Sequence, residues 1–423
     1  MSTLSWSLTG PRWTQLQSHR AWLLKQAQAL FDFFEPDLLN PLGGFHDLDD
    51  KGRSVAPGYG AGGAPTRQLH ATTRMVYAFS IAYLMGRPGA DLIVDHGMAF
   101  LWNGHRDDRN GGYSWGVGYG GLTDAAKQAY GHAFVLLAAS SAKVAGHPDA
   151  DRLLADVSEI IRTRFWEEAH GASAEEFTSD WKPIDVYRGQ NSNMHLAEAL
   201  MAAFEATNDS TYLRMAERIA ELIIRRHAAE NDWRLPEHFT ERWELNREYS
   251  GSPIFRPYGT TPGHSLEWAR LLLLLWELGG RKLDWLPGAA QALFARATED
   301  GWDRENGGFY YTLEWDGSPR IRDRYWWPCS EGIGAAAVLN AIDGDARYEA
   351  WYREIWNFVA ARFLDRENGG WRAQLDSRLR PSENPFFGKF DIYHALQACL
   401  IPLLPTTGAI TRGLVTQGAS AIL

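Results

Sequence analysis

Cysteine is nearly absent: Cys329 and Cys399 are the two in 423 residues. That excludes a disulfide framework and predicts reduced thiols in a cytoplasmic protein. Long apolar runs are missing too. The most strongly apolar patch, residues 271–276, follows Arg270 and is too short to cross a bilayer, so no membrane partner is expected. Residues 1–16 lack a basic stretch leading into an apolar one, and no signal peptide is expected. Positive charge is in deficit, with 42 Lys and Arg against 52 Asp and Glu. The net charge of -10 excludes a basic face for nucleic acid. There is no P-loop or dinucleotide-type glycine fingerprint, and no Cys/His spacing suited to zinc.

Aromatic residues, by contrast, abound: 19 Trp and 16 Tyr. Some must pack a core, and others can line a pocket in which flat rings stack on the C–H faces of a sugar. At 45% hydrophobic and 22% charged, the composition is that of a globular protein with ample buried core.

Three turns are near copies: Asp108-Arg109-Asn110-Gly111-Gly112-Tyr113, Asp303-Arg304-Glu305-Asn306-Gly307-Gly308-Phe309 and Asp365-Arg366-Glu367-Asn368-Gly369-Gly370-Trp371. Weaker copies stand at Gly43-Gly44-Phe45, His170-Gly171-Ala172 and Asn231-Asp232-Trp233. Successive copies are roughly 60 to 75 residues apart, a period that signals a repeat architecture. Before each turn an amphipathic helix is predicted, over residues 12–36, 89–103, 149–166, 211–228, 285–299 and 347–364. After each turn a second helix, richer in Ala and Leu, is predicted over 67–85, 127–145, 191–206, 262–279, 328–342 and 391–403. Six outer and six inner helices predict an all-α fold, an (α/α)6 barrel with short hairpin loops at its mouth, rather than an open solenoid. Residues 1–423 are expected to form one catalytic domain.

Each inner helix carries polar groups near its start: His70 and Arg74, Gln128 and His132, Asn193 and His195, His264 and Glu267, Glu331, and Asp391 with His394. In a closed barrel these ends converge on a pocket.

The same residues carry a resemblance. From about residue 12 to 405 the chain resembles the N-acylglucosamine 2-epimerase superfamily, and within it the aldose–ketose isomerase branch. The resemblance rests on Thr73-Arg74-Met75, Asp124 to His132, Asn191-Ser192-Asn193-Met194-His195, Gly259 to His264 with Glu267-Trp268, Trp327-Pro328 with Glu331, and Asp391-Ile392-Tyr393-His394. It implies an (α/α)6 barrel and isomerisation or epimerisation of a sugar by a histidine pair, with no metal and no other cofactor. Sulfoquinovose isomerases, in the same branch, look to have an Arg-Phe-Arg pattern where this chain has Ile254-Phe255-Arg256, and glutamines near Phe390 and Ala373. An Ile/Phe/Ala surface offers no donor to a sulfonate. The pattern is similar to mannose isomerases, so the expected substrate is a small neutral monosaccharide: mannose and fructose, with lyxose and xylulose as further candidates.

The chemistry needs a base near the carbon, support for enediolate oxygens and a shuttle for hydroxyl protons. His394 is expected to move the proton from C2 to C1, and His264 to open the ring and carry protons between oxygens; sequence leaves these two roles interchangeable. Arg74 is the candidate for enediolate charge. Glu267 and Glu331 either orient the imidazoles, bind hydroxyls or bridge helices. Gln128, Asn193 and His195 are expected to hold ring hydroxyls, and Tyr113 and Trp327 to form a stacking wall unless they are core. A metal site on His264 and Glu267 is not expected, because no second carboxylate-rich set accompanies them. The competing readings are a sugar 2-epimerase, a sulfoquinovose isomerase, a glycoside hydrolase using Glu267 and Glu331, and a non-catalytic carbohydrate-binding protein.

Overall fold

The computed structural model describes residues 10–55, 66–252, 256–389, 391–406 and 408–417. Six inner helices are α2 (Leu69–Leu84), α4 (Ala129–Ala145), α6 (Gln190–Thr207), α8 (Pro262–Leu278), α10 (Trp326–Ile342) and α12 (Tyr393–Leu400). Each packs on the next, and α12 packs back on α2, so the ring closes. The outer layer is α1 (Gln17–Phe34), α3 (Ala90–Phe100), α5 (Ala150–Ile160), α7 (Ser210–Ala220), α9 (Trp285–Gly301) and α11 (Ala346–Arg362). Five outer helices follow the inner helix they cover, whereas α1 covers α12 from the far end of the chain. Among the described residues no helix is long and apolar enough to cross a membrane.

Sequence accounts for the two layers. On α7 the residues Tyr212, Leu213, Met215, Ala216 and Ile219 are buried, while Arg214 between them is exposed. Asp209 caps that helix, accepting from the Thr211 N–H at 2.9 Å. Inner helices are apolar around their circumference: Leu271, Leu272 and Leu273 of α8 are all fully buried. Burial of each such side chain contributes about 1.5–3 kcal/mol.

The mouth is laced by short antiparallel pairings between repeats. Arg67–Gln68 pairs with Gly116–Gly118, Lys127–Gln128 with Glu176–Phe177, Arg188–Gly189 with His238–Phe239, and Arg324–Tyr325 with Gln374–Leu375. Thr260 bridges to Leu313, and the Lys389 N–H donates to the Leu48 carbonyl, completing the circuit. Each inner helix is thus tied, just before its first turn, to the loop of the following repeat.

The Asn-Gly-Gly turns share one construction. Asp365 Oδ1 accepts from the N–H groups of Glu367 and Asn368, and Gly369 and Gly370 both adopt positive φ, 82° and 65°. The Lys389 ammonium then donates to Asp365 Oδ2, Gly369 O and Asp50 O, each at 2.7 Å. Lys127 does the same for the Asp107 turn, and Arg324 serves the Asp303 turn. A buried cation from the next inner segment therefore fixes each turn.

At the opposite end of the barrel, residues 404–406 and 408–409 and helix α13 (Ile410–Gln417) lie across the inner helices, with α13 against α2 and α4. Glu205 anchors this closure, accepting from the Ala409 N–H at 2.8 Å. Burial pushes its carboxyl up from 4.5 to about 7.

Two outcomes follow. Lys389→Met removes the buried one of the two cations on Asp365, Arg372 remaining 2.9 Å from Oδ1, and urea unfolding should show a loss of about 1.5–3 kcal/mol. Glu205 holds its proton more tightly folded than unfolded, so its contribution to stability is complete below 4.5 and is lost as pH rises through about 7. Melting curves between pH 5 and 8 should therefore show wild type losing stability relative to Glu205→Gln.

Candidate active site

All six inner helices meet at one mouth. α2 brings His70 and Arg74, α4 Tyr130, α6 Asn191 and His195, α8 His264 and Glu267, α10 Trp326 and Trp327, and the entry to α12 Asp391 and His394. Tyr311 and Phe386 close the wall from loops. The cavity volume is about 80 Å³.

The axis-facing residues recur at spacings of three or four, as His70/Arg74, Asn191/His195 and His264/Glu267 do. Three of the expected site residues lie off the cavity. Gln128 belongs to the short strand that precedes α4, and Asn193 is two residues after Asn191, about 200° round α6; neither lines the cavity. Gln128 Nε2 donates to Glu176, and Asn193 ties the Ser173 backbone to the Gly189 carbonyl. Tyr113 forms no stacking wall: it is fully buried, edge-on to His132, with its hydroxyl donating to Asp156 at 2.7 Å. His132 is likewise a core histidine that accepts from the Tyr113 N–H.

His264 and His394 come together around Trp327, their ring centroids 5.0 and 5.7 Å from its indole. Gly263 permits this approach, since a Cβ there would lie 2.3 Å from the Trp327 ring. The partner of His264 is Glu237, a loop residue absent from the sequence reading: Nδ1 donates to its oxygens at 2.9 and 3.0 Å. His394 Nδ1 donates to Glu331 at 2.8 Å, so Glu331 stands behind the histidine rather than on the cavity surface. Both carboxyls lie below their usual range: burial opposes this, but His264 outweighs it at Glu237, and Arg270 with His394 outweighs it at Glu331. An ionised carboxylate on Nδ1 keeps the proton there and leaves Nε2 as an acceptor.

Arg74 donates to Asp391 at 3.0 Å and to the Tyr130 hydroxyl at 2.9 Å, and it lies over the Phe134 and Tyr393 rings. His195 sits 3.6 Å from Glu267 and 3.8 Å from Glu198, its pKa lowered to about 4 chiefly by burial. Beneath them, Arg270 lies 3.1 Å from Glu331, 3.5 Å from Glu198 and 3.8 Å from Glu267.

The expected lack of a carboxylate-rich set is thus corrected. His195, Glu198 and Glu267, and again Glu267, Glu331 and His394, gather ligand-type atoms within 4.8 Å of one another, and His264 belongs to neither group. These donors fit a divalent ion poorly, because the Arg270 guanidinium already stands among their carboxylates. Of the positions weighed for a sulfonate, Ile254, Phe255 and Phe390 lie outside the described residues. Ala373 is off the cavity, its carbonyl accepting from the Trp326 N–H, and Arg256 pairs with Glu175, Glu176 and Asp185.

Known proteins share this architecture. A D-mannose isomerase of Thermobifida fusca is 42% identical over 414 residues, spanning 96% of this chain and 99% of the relative. A D-mannose isomerase of Pseudomonas cannabina pv. alisalensis is 42% identical over 413 residues, spanning 95% and 97%. A crystal structure of D-mannose isomerase superposes with a TM-score of 0.85 at 33% identity, covering 90% of this chain and 97% of that one. The family model described as N-acylglucosamine 2-epimerase (GlcNAc 2-epimerase) matches residues 43–398. The chain therefore belongs to the N-acylglucosamine 2-epimerase family.

Proposed function

We propose that this protein is an aldose–ketose isomerase that interconverts D-mannose and D-fructose, its barrel acting as one catalytic domain. The observation that carries the reading is the pair of cavity imidazoles around Trp327, each with Nδ1 committed to a buried glutamate. The full-length relatives named D-mannose isomerase support the choice of sugar. A neutral hexose suits the lining: among its described residues the arginine is Arg74, already matched by Asp391. Trp326, Trp327 and Tyr311 offer flat faces to its C–H surface. The buried free thiols Cys329 and Cys399 accord with a cytoplasmic enzyme.

His264 takes the O1 proton and delivers a proton to O5, opening the ring. His394 Nε2 then removes the C2 proton, and the electron pair moves through C1=C2 to leave charge on O1 of a cis-enediolate. Arg74 and its Tyr130 partner face that charge. His264 carries the O2 proton to O1 while His394 returns its proton to C1, giving the C2 ketone. Arginine, rather than an ion, supplies positive charge throughout.

NMR of metal-free enzyme with D-mannose should show D-fructose accumulating; glucose as the product would instead establish a 2-epimerase, which must reprotonate C2 on its other face. His394→Asn should lower kcat by about 10²–10⁴-fold, the usual weight of a general base. Exhaustive dialysis against EDTA should leave the rate unchanged, and restoration of a lost rate by a divalent ion would refute the metal-free mechanism.

A further inference from the structure

Charge on the cavity floor is unbalanced. Glu198 from α6, Glu267 from α8 and Glu331 from α10 surround one guanidinium, Arg270. Two of the three have partners suited to an anion. Glu331 accepts from His394 and Arg270. Glu198 accepts from Arg270 and from the Tyr393 hydroxyl. Glu267 has neither: both its oxygens are buried without a hydrogen-bond partner, and Arg270 approaches no closer than 3.8 Å. Beside it His195 carries no compensating charge, because burial lowers its pKa to about 4, and Arg74, whose charge also acts on Glu267, is committed to Asp391 at 3.0 Å. A carboxylate in that position would be desolvated with no donor to replace water, at a cost that favours keeping the proton. Glu267 also lines the cavity, its carboxyl lying just beneath the surface.

We propose that Glu267 acts as a neutral carboxylic acid, donating a hydrogen bond from the cavity floor to the substrate oxygen on which the enediolate charge collects. The identity of that oxygen rests on the isomerase reading above; the protonation state does not. An ionised Glu267 would repel the charge that develops, whereas the neutral acid attracts it as an oxyanion-hole donor does. No proton is consumed, since the acid keeps its hydrogen when the enediolate is discharged. Burial first, then the charges of Glu331 and Glu198, raise the Glu267 pKa well above the ordinary carboxylate range, in the same direction as the geometry.

Infrared spectroscopy of the intact enzyme at pH 8.5 tests this. At that pH Asp47, with a pKa near 6, and Glu205, near 7, are ionised, so a carboxylic-acid C=O band that shifts in D₂O reports a more strongly protonated group. The band should be present in wild type and in His394→Asn and absent in Glu267→Gln. With mannose, Glu267→Gln, whose amide still donates, should lose about tenfold in kcat, and Glu267→Ala about 10²–10³-fold, as for loss of an oxyanion-hole donor. No band in wild type, a band that survives in folded Glu267→Gln, or a folded Glu267→Gln as inactive as Glu267→Ala would each overturn the proposal. Should Glu267→Gln not fold, Glu175→Gln decides: Glu175 is another fully buried carboxyl pushed upward, and loss of the band there would reassign it. Wild type inert toward mannose would sink the substrate reading while leaving the band in place.

Discussion

One guanidinium, that of Arg270, holds the centre of the barrel together. Three buried glutamates from three helices converge on it, and buried charge of this kind is stable only where it is paired and hydrogen-bonded. Its effects spread outward through hydrogen bonds. Glu331, fixed by Arg270, orients His394; Glu198, fixed likewise, holds the Tyr393 hydroxyl beside it. The group that neutralises the barrel axis therefore also sets the tautomer of an imidazole at the cavity wall. His264 stands outside this network, with Glu237 and Gln190 as its own support. The two histidines thus have independent electrostatic surroundings, which suits two distinct duties in one reaction.

The same device recurs in the scaffold. Where an aspartate turn gathers carbonyl and carboxylate oxygens, Lys127, Arg324 or Lys389 fills the centre. Positive charge in this protein is built into the chain, at the floor of the cavity and at the turns alike. Each such residue arrives from the next repeat, so electrostatic satisfaction and register between repeats are one requirement.

Much of this was legible beforehand. Helical periodicity and the recurring Asn-Gly-Gly turns placed all twelve barrel helices, because two-layer burial writes itself into the pattern of apolar positions. His264, His394, Arg74, His195, Glu267 and Trp327 were found at inner-helix starts, and the cavity gathers them. Asn193 was misplaced because polar residues occur on both faces of α6, and rotation about the axis depends on packing that no single helix records; Gln128 was misplaced because it belongs to the strand before α4 and not to the helix. The true axis-facing residues were Tyr130 and Asn191, recoverable from the four-residue step to Phe134 and His195. Glu237 had no signal: it lies in a loop, Leu235-Pro236-Glu237-His238, with no periodicity to mark its direction. The floor cluster was hidden because Glu198, Glu267 and Glu331 are dispersed along the chain and meet only in the closed ring.

Closure by α1 on α12 has a bearing on how the chain emerges during synthesis. Leu23, Ala27, Leu30, Phe31 and Phe34 of α1 form an apolar stripe; Phe31 meets Phe79 of α2, but much of the seat is α12, which begins only at Tyr393. At ordinary ribosomal speeds, about 5–20 residues per second, that stripe waits on the order of tens of seconds for its mate. For that interval a nascent chain of this design carries one apolar helix only partly housed, a natural client for a chaperone.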